Sequence, residues 1–286
     1  MLYVFVNQKR IIAGLLPAFG FELNLYRTGD KMISAMEIYN FIDSFAPFES
    51  AMSFDNVGIL IGDKNTSANK VLTALDVSAE VIHEAVRTGA DIVVTHHPVI
   101  FKPLKSIDTD SIPYLAAKHG ITIISAHTNL DIAPGGVNDT LAESIGVCTE
   151  ERFCDECALV GSIPEETDCG GFARLIMEKL GLAGLRYTDN NKIIKRVVVS
   201  CGAGGDNIEL AKKIGADAII TGEIKHNYII YGNDCGIAVF DIGHFGSEGL
   251  IIPVLTQMLR ERFPQTEFIR AASDGDGVKY ISKEQM

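Results

Sequence analysis

Histidine residues with the potential for metal or acid–base chemistry stand at the end of an apolar run in this sequence. His96 and His97 follow "ADIVV", and Pro98 comes next, which disfavours helix for the residue before it. Because neighbouring side chains on a strand point to opposite faces, two histidines that serve one site must lie where the strand ends. Open α/β sheets bind ligands at that end of their strands. The spacing predicts a functional pair, with two ordinary loop residues as the alternative.

Two later segments place the same residue types after further predicted strands. "HTNLD" contains His127 and Asp131, and "GHFGSE" contains His244 on a glycine-flanked turn, four residues before Glu248. A histidine and a glutamate at this spacing can face one centre. Imidazole and carboxylate together suit zinc, manganese or iron, and carboxylates can bridge two ions about 3.5–4 Å apart. For His127 or Asp131 alone, a capped turn is the alternative.

The predicted elements that position these residues alternate between strands and helices. "KVLTALDV", "ADIVVTHH" and "ITIISAHTNLD" are typical of strands, and the helical patterns "SAEVIHEAVRTG" and "IPYLAAKHG" lie between them. Ser78 is the predicted N-cap of the first helix. Its predicted buried face consists of Val81, Ile82, Ala85 and Val86. This βαβαβ order predicts a mostly parallel sheet covered by helices.

An internal similarity indicates that the scheme occurs twice. "GADIVVTHH" from Gly89 and "GADAIITGE" from Gly215 share Gly-Ala-Asp, an apolar strand and a threonine, and the flanking element order also agrees. We therefore expect two similar α/β domains with mainly parallel or mixed sheets. The first, metal-binding domain is predicted to comprise residues 32–156 plus 236–286, and the second residues 157–235. The final helix is expected to return to the first domain, because the strand before it ends in candidate site residues.

The N-terminal segment superficially resembles a signal peptide through "KRIIAGLLPAF". Gly14 and Pro17 interrupt its apolar part, which is too short to span a bilayer. We interpret Met32 as the native start and residues 1–31 as an upstream extension without an assigned role. An amphipathic helix that ends before Pro47 is predicted after Met32. Its apolar stripe is Ile38, Phe41, Ile42 and Phe45.

Composition excludes several classes of protein. The chain has 286 residues, of which 47% are hydrophobic and 22% charged, as in a packed globular protein rather than a disordered one. Its formal net charge of −12 argues against a broad nucleic-acid-binding face, which needs clustered basic residues. Six unevenly spaced cysteines are more consistent with a reducing cytosol than with a disulfide framework. We expect a cytoplasmic protein that does not act at a membrane.

Two further motifs each allow two interpretations. Cys154 and Cys157 form "CDEC", a pair that can bind zinc or cycle as a disulfide, although only Cys148 and Cys169 are near enough in sequence to complete a zinc site. "CGAGGD", residues 201–206, follows a predicted strand and precedes a helix, so its amides could hold an anion. It lacks the dinucleotide fingerprint and the phosphate-loop lysine, which favours a tight strand-to-helix turn.

Four segments together resemble one known family. "SFDNVGILIGD", "THHPVIF", "AHTNLDIAPGGVND" and "DIGHFGSE", in this order, resemble the Nif-three-like family, whose members are named GTP cyclohydrolase type 2 homologues and described as dinuclear-metal proteins. The likeness runs from about Met32 nearly to the C-terminus. The sequence departs from the family pattern at Phe54, where tryptophan is common, and at Asn227, where a second histidine is frequent, which leaves a role for His226 in doubt.

The resemblance implies a site, an assembly and a function. It implies two divalent metal ions per chain, a ring-shaped homohexamer, and Asp131 and Glu248 as bridging ligands, with His127 orienting a ligand by hydrogen bonding. The implied metal ligands are His96, His97, Asp131, His244 and Glu248. The expected function is metal-dependent hydrolysis of the GTP cyclohydrolase type 2 kind. The alternative is a non-enzymatic metal-handling or scaffold protein with the same ligands.

Overall fold

A computed structural model describes residues 32–281 as a mixed α/β protein. The strands are β1 (Ile33–Ser34), β2 (Gly58–Ile61), β3 (Ser67–Ala68), β4 (Lys70–Ala74), β5 (Ile92–Thr95), β6 (Thr122–Ser125), β7 (Cys148–Phe153), β8 (Ala158–Asp168), β9 (Arg186–Tyr187), β10 (Ile193–Ser200), β11 (Ala218–Thr221), β12 (Ala238–Asp241) and β13 (Glu267–Arg270). The helices are α1 (Ala35–Phe45), α2 (Ala79–Thr88), α3 (Ile112–Lys118), α4 (Thr128–Ile132), α5 (Val137–Ile145), α6 (Cys169–Leu180), α7 (Ile208–Ile214), α8 (His226–Cys235), α9 (His244–Glu248) and α10 (Ile251–Arg262).

The described chain forms two compact units. Residues 32–134 and 251–275 form what we call the N-terminal unit, and residues 135–250 and 276–281 form the central unit. Each contains its own sheet with helices, which confirms the predicted α/β fold class. The extension predicted for residues 1–31 lies outside the described residues. Between residues 32 and 281, no helix is long and apolar enough to cross a membrane.

The N-terminal unit is built on a five-stranded mixed sheet in the order β13-β4-β5-β6-β2. The neighbours from β13 to β6 are parallel, and β2 pairs antiparallel with β6. Helix α1 buries the predicted stripe, and its N-terminus is closed by a capping box between Ser34 and Glu37. The parallel order places the ends of β5 and β6, and the polar residues that follow them, at one edge of the sheet.

Helix α2 follows its prediction at all but one position. The Ser78 hydroxyl accepts a hydrogen bond from the Val81 amide as the N-cap, and Val81, Ile82 and Ala85 are buried. Val86 is 43% exposed, so its assignment to the buried face is wrong. Val86 is exposed because it lies roughly 90° around the helix from the centre of the buried stripe.

The central unit contains a six-stranded sheet in the order β7-β8-β10-β11-β12-β9. Strands β10, β11 and β12 are parallel, whereas β7, β8 and β9 run antiparallel to their neighbours. Because β7 pairs with β8 and β12 pairs with β11, the structure divides the chain at 134/135 and 250/251. The boundaries predicted from the sequence, 156/157 and 235/236, would separate β7 from β8 and β12 from β11.

Helix α10 belongs to the N-terminal unit, as expected, but the strand before it does not. The strand before it, β12, is part of the central sheet. The strand after it, β13, pairs in parallel with β4 of the N-terminal sheet. Strand β13 was not predicted from the sequence, and its pairing partner lies almost 200 residues earlier in the chain, from Lys70 to Thr73. A long-range pairing of this kind leaves no local signal.

Candidate metal centre

The paired histidines of the N-terminal unit follow β5 directly. Their amides continue the hydrogen bonding towards β4, from His96 N to Ala74 O at 3.3 Å and from His97 N to Leu75 O at 2.9 Å. The Thr95 hydroxyl donates to the His97 carbonyl at 2.9 Å. The histidine rings lie with their centroids 5.1 Å apart, and the His96 side chain is fully buried. The end of the strand therefore holds both imidazoles at one place, as predicted from the sequence.

The neighbouring strand β6 leads to the second pair of candidates. His127 is the N-cap residue of α4, and Asp131 lies one turn later, with its amide bonded to the His127 carbonyl at 3.0 Å. The Asp131 side chain is 7% exposed, and its Oδ1 lies 3.3 Å from His96 Nε2. Ligand atoms of His96, His97 and His127 all lie within 4.8 Å of one another. This unit thus brings three imidazoles and one carboxylate together.

The Nδ1 atom of each of these imidazoles lies beside an acceptor oxygen. The distances are 2.8 Å from His96 to the Ala126 carbonyl, 2.7 Å from His97 to Asp76 Oδ1, and 2.9 Å from His127 to Asp55 Oδ1. In the neutral rings these contacts place the proton on Nδ1, so that Nε2 presents its lone pair. Metal-binding histidines in proteins are usually held by a contact of this kind.

Asp55 is a structural support that was not predicted from the sequence. Its side chain is fully buried, and it accepts hydrogen bonds from His127, from the Thr128 amide at 3.0 Å and from the Thr128 hydroxyl. Burial raises the pKa of Asp55, but the bonds from His127 and Thr128 outweigh this effect and lower the pKa to about 2. The carboxylate is therefore ionised at neutral pH and fastens both the His127 ring and the start of α4.

The central unit carries its candidates on one short helix. His244 and Glu248 are the first and last residues of α9, and His244 Nε2 lies 2.9 Å from Glu248 Oε2. The Glu248 side chain is buried, whereas that of Glu223 is exposed and lies with Oε1 3.1 Å from His244 Nδ1. Glu223 is the last residue of the repeated segment "GADAIITGE", but it was not predicted as a site residue. His226, three residues later, is exposed at the start of α8.

Glycines leave the space that the Glu248 carboxylate occupies. A Cβ atom on Gly202 would lie 2.3 Å from Glu248 Oε1, and one on Gly222 would lie 2.4 Å from Ser247 Oγ. The Ser247 hydroxyl also accepts from the Gly202 amide at 3.0 Å. Gly202 has a φ of +57°, a conformation that residues with a Cβ rarely adopt. These contacts explain the "CGAGGD" segment as a tight turn packed against α9.

The donor set of each unit suits a divalent cation. Buried carboxylates such as Asp131 and Glu248 are costly without a compensating charge, and each has an oxygen within 3.3 Å of an imidazole Nε2. Imidazole nitrogen and carboxylate oxygen are ligands of zinc, manganese and iron. In the part of the chain described, no group of three potential ligands includes a cysteine. The fold and these residues define a mixed α/β protein with histidine and carboxylate groups that could bind metal.

Comparison with known proteins identifies the family. The Duf34/NIF3 (NGG1p interacting factor 3) family matches residues 33–275, and the chain belongs to that family. It is 36% identical over 258 residues to a GTP cyclohydrolase 1 type 2 homolog of Clostridium perfringens, covering 86% of this chain and 98% of the relative. A homolog of the same name from Clostridium acetobutylicum is 33% identical over 79% of this chain and 90% of its own length. A hypothetical protein of Staphylococcus aureus has a similar structure, with a TM-score of 0.79 and 26% identity over 88% of this chain and all of its own.

Proposed function

We propose that this protein holds two divalent ions per chain in a dinuclear centre and uses them for hydrolysis. The ligands are His96, His97 and Asp131 of the N-terminal unit and His244 and Glu248 of the central unit. The observation that carries the proposal is the pairing, in each unit, of an imidazole Nε2 with an oxygen of a buried carboxylate. Asp131 and Glu248 would supply the carboxylate ligands, because a carboxylate has two oxygens that can each bind a cation.

Each residue has a distinct task in this centre. Two bound ions would lower the pKa of a coordinated water and polarise the bond under attack. Asp131 and Glu248 balance the charge of the cations from buried positions. The oxygens of Asp76, Asp55 and Glu223 hold imidazole rings in orientation through Nδ1. His127, held by Asp55, keeps its ring against the rings of His96 and His97.

The reaction class follows from this chemistry together with the names of the relatives. A metal-activated water suits the hydrolysis of nucleotides, phosphoesters and cyclic amides. The two clostridial relatives are called GTP cyclohydrolase 1 type 2 homologs, which supports a GTP cyclohydrolase-like substrate with a ring to be opened. We further propose a cytoplasmic homohexamer, for which sedimentation of the purified protein as a hexamer is the test.

Elemental analysis of purified protein tests the centre. We expect about two divalent ions per chain, and His97→Ala should lose at least one of them because the coordination sphere is opened. His83→Ala is the matched control, since this histidine lies on α2 with 46% of its side chain exposed. Unchanged metal content in His97→Ala would reject the assigned ligands.

A turnover screen of the metal-loaded protein separates the two candidate functions. A rate with nucleotides, phosphoesters or cyclic amides that disappears in His97→Ala supports the hydrolase. Full metal content without turnover, combined with metal transfer to an apo acceptor protein, would reject the hydrolase and favour metal handling. Glu248→Gln in the same screen should lose activity and metal together, because a neutral amide is a weaker ligand without compensating charge.

A further inference from the structure

The "CDEC" segment forms the tip of a β-hairpin in the central unit and has no part in the proposed metal centre. Strands β7 and β8 are paired up to Phe153 opposite Ala158, so that residues 154–157 form the entire connection. The Cys157 amide donates to the Cys154 carbonyl at 3.1 Å and closes the turn. The two cysteines are therefore the first and last residues of a closed four-residue turn.

This turn brings the Cα atoms of the two cysteines into the range that a disulfide can span. A β-turn keeps its first and last Cα atoms less than about 7 Å apart, and disulfides join Cα atoms about 4.4–6.8 Å apart. Cys157 has a φ of +50°, a left-handed conformation that usually selects glycine or asparagine. A cysteine at this position of the turn therefore carries a conformational cost.

Hydrogen bonds from three side chains hold the turn in place. The Cys157 carbonyl accepts from Asn138 Nδ2 at 3.1 Å and from the Ser200 hydroxyl at 3.2 Å. The Glu156 carbonyl accepts from Asn207 Nδ2 at 2.6 Å. Because these contacts fix the backbone on one side of the turn, closing a bond between the cysteines costs little further conformational entropy. Cys154 is exposed and Cys157 half-buried, so a small reagent can reach the pair.

We propose that Cys154 and Cys157 form a reversible disulfide by exchange with a low-molecular-weight disulfide such as glutathione disulfide. One cysteine thiolate attacks a sulfur of glutathione disulfide, which forms a mixed disulfide and expels one glutathione thiolate. The second cysteine then attacks the protein sulfur of this mixed disulfide and expels the second glutathione. The cysteine pair loses two electrons and two protons, and glutathione disulfide becomes two glutathione thiols.

The test is incubation of the full-length protein with glutathione disulfide, followed by intact mass measurement and peptide mapping. We expect loss of two of the six thiols, a mass lower by two hydrogens, and a peptide cross-linked between Cys154 and Cys157. Reduced glutathione should restore both thiols. Cys154→Ser and Cys157→Ser should instead retain one glutathione adduct, because the second thiol that resolves it is absent.

Cys148→Ser is the matched control, since Cys148 is an exposed cysteine on β7 of the same hairpin. This variant should form the disulfide at the wild-type rate. Persistent glutathione adducts on wild-type protein without the cross-linked peptide would overturn the proposal. Zinc bound at the pair in purified protein, with thiols that react only after chelation, would overturn it as well and would assign the motif to metal binding.

Discussion

Strand β5 of the N-terminal unit and strand β11 of the central unit are two versions of one structure. A glycine in the left-handed conformation precedes each, Gly89 with a φ of +70° and Gly215 with a φ of +67°. At the ends of the two strands, the Ala126 amide donates to the Thr95 carbonyl at 2.9 Å and the Ile242 amide donates to the Thr221 carbonyl at 3.0 Å. The similarity seen in the sequence therefore extends to the hydrogen bonding around both strands.

The two units differ in the residues that follow these strands. In the N-terminal unit the next residues are His96 and His97, whereas in the central unit they are Gly222 and Glu223. Gly222 leaves space for Ser247, and Glu223 lies against the His244 ring. The same backbone junction thus supplies candidate ligands in one unit and supports for a ligand-bearing helix in the other. A repeated fold can therefore keep its backbone geometry while the residues at equivalent positions take different roles.

The largest effect on metal binding is expected from filling the space beside Gly202 in the central unit. Gly202→Ala should weaken metal binding at least about tenfold, the range seen when supports of metal ligands are removed, because its Cβ would displace the Glu248 carboxylate. Gly215→Ala is the matched control, since it is also left-handed but has open space around it. Both variants should lose roughly 1–2 kcal/mol of stability. Metal titration and urea unfolding measure the two effects, and equal metal affinities would contradict the assignment of Gly202.

A second pair of variants compares the supports of the two units. Asp55→Asn should weaken metal binding by about tenfold, because the buried carboxylate holds the His127 ring and the start of the helix that carries Asp131. Glu223→Gln should change the affinity by less than about 1 kcal/mol, as is usual for an exposed charged pair. Isothermal titration with zinc measures both. A larger loss in Glu223→Gln would show that the central support is the dominant one.

The third prediction concerns a buried carboxylate of the N-terminal unit that is not among the proposed metal ligands. Glu84 is 8% exposed and accepts hydrogen bonds from the Ala272 amide, the Ser273 amide and the Ser273 hydroxyl. Glu84→Gln should lower the free energy of unfolding by about 1–3 kcal/mol, as for a hydrogen-bonded charged group. Glu80→Gln on the same helix, with 71% of its side chain exposed, should change it by less than about 0.5 kcal/mol.

The effect of Glu84 should depend on pH in a defined direction. Burial raises the pKa of Glu84, but the hydrogen bonds from Ser273 and Ala272 outweigh it and lower the pKa below its ordinary value. The stabilisation is therefore complete above the unfolded pKa of about 4.3 and is lost as the pH falls through the lower folded value. Urea unfolding at several pH values should show the difference between wild type and Glu84→Gln shrinking below about pH 4. A difference that grows in acid would contradict this sign.

The smallest effect is expected from removal of residues 1–31. The family match begins at residue 33, and helix α1 has its own capping box from Ser34 and Glu37. Deletion of residues 1–31 should leave the circular dichroism spectrum and the metal content unchanged. An insoluble or metal-free product would reject the interpretation of this segment as an extension without a role.

Local patterns in the sequence determined the elements and the type of chemistry. The period of apolar residues specified α1 and α2, since a helix returns to the same face every 3.6 residues, and Ser78 marked where α2 begins. The order of strands and helices specified the fold class. The position of His96 and His97 at a strand end predicted the edge of the sheet where candidate ligands meet. In each case the signal lies within a few residues of the feature that it predicts.

Only the tertiary structure decided the sheet partners and the supports of the ligands. The pairing of β13 with β4 and of β7 with β8 set the limits of the two units, because strand pairing joins residues by register and not by proximity in the chain. Asp55 reaches His127 across 72 residues, and Gly202 is required by a carboxylate 46 positions later. The sequence alone does not show which other residues an aspartate or a glycine contacts. The role of each depends on the side chain that the folded chain places beside it.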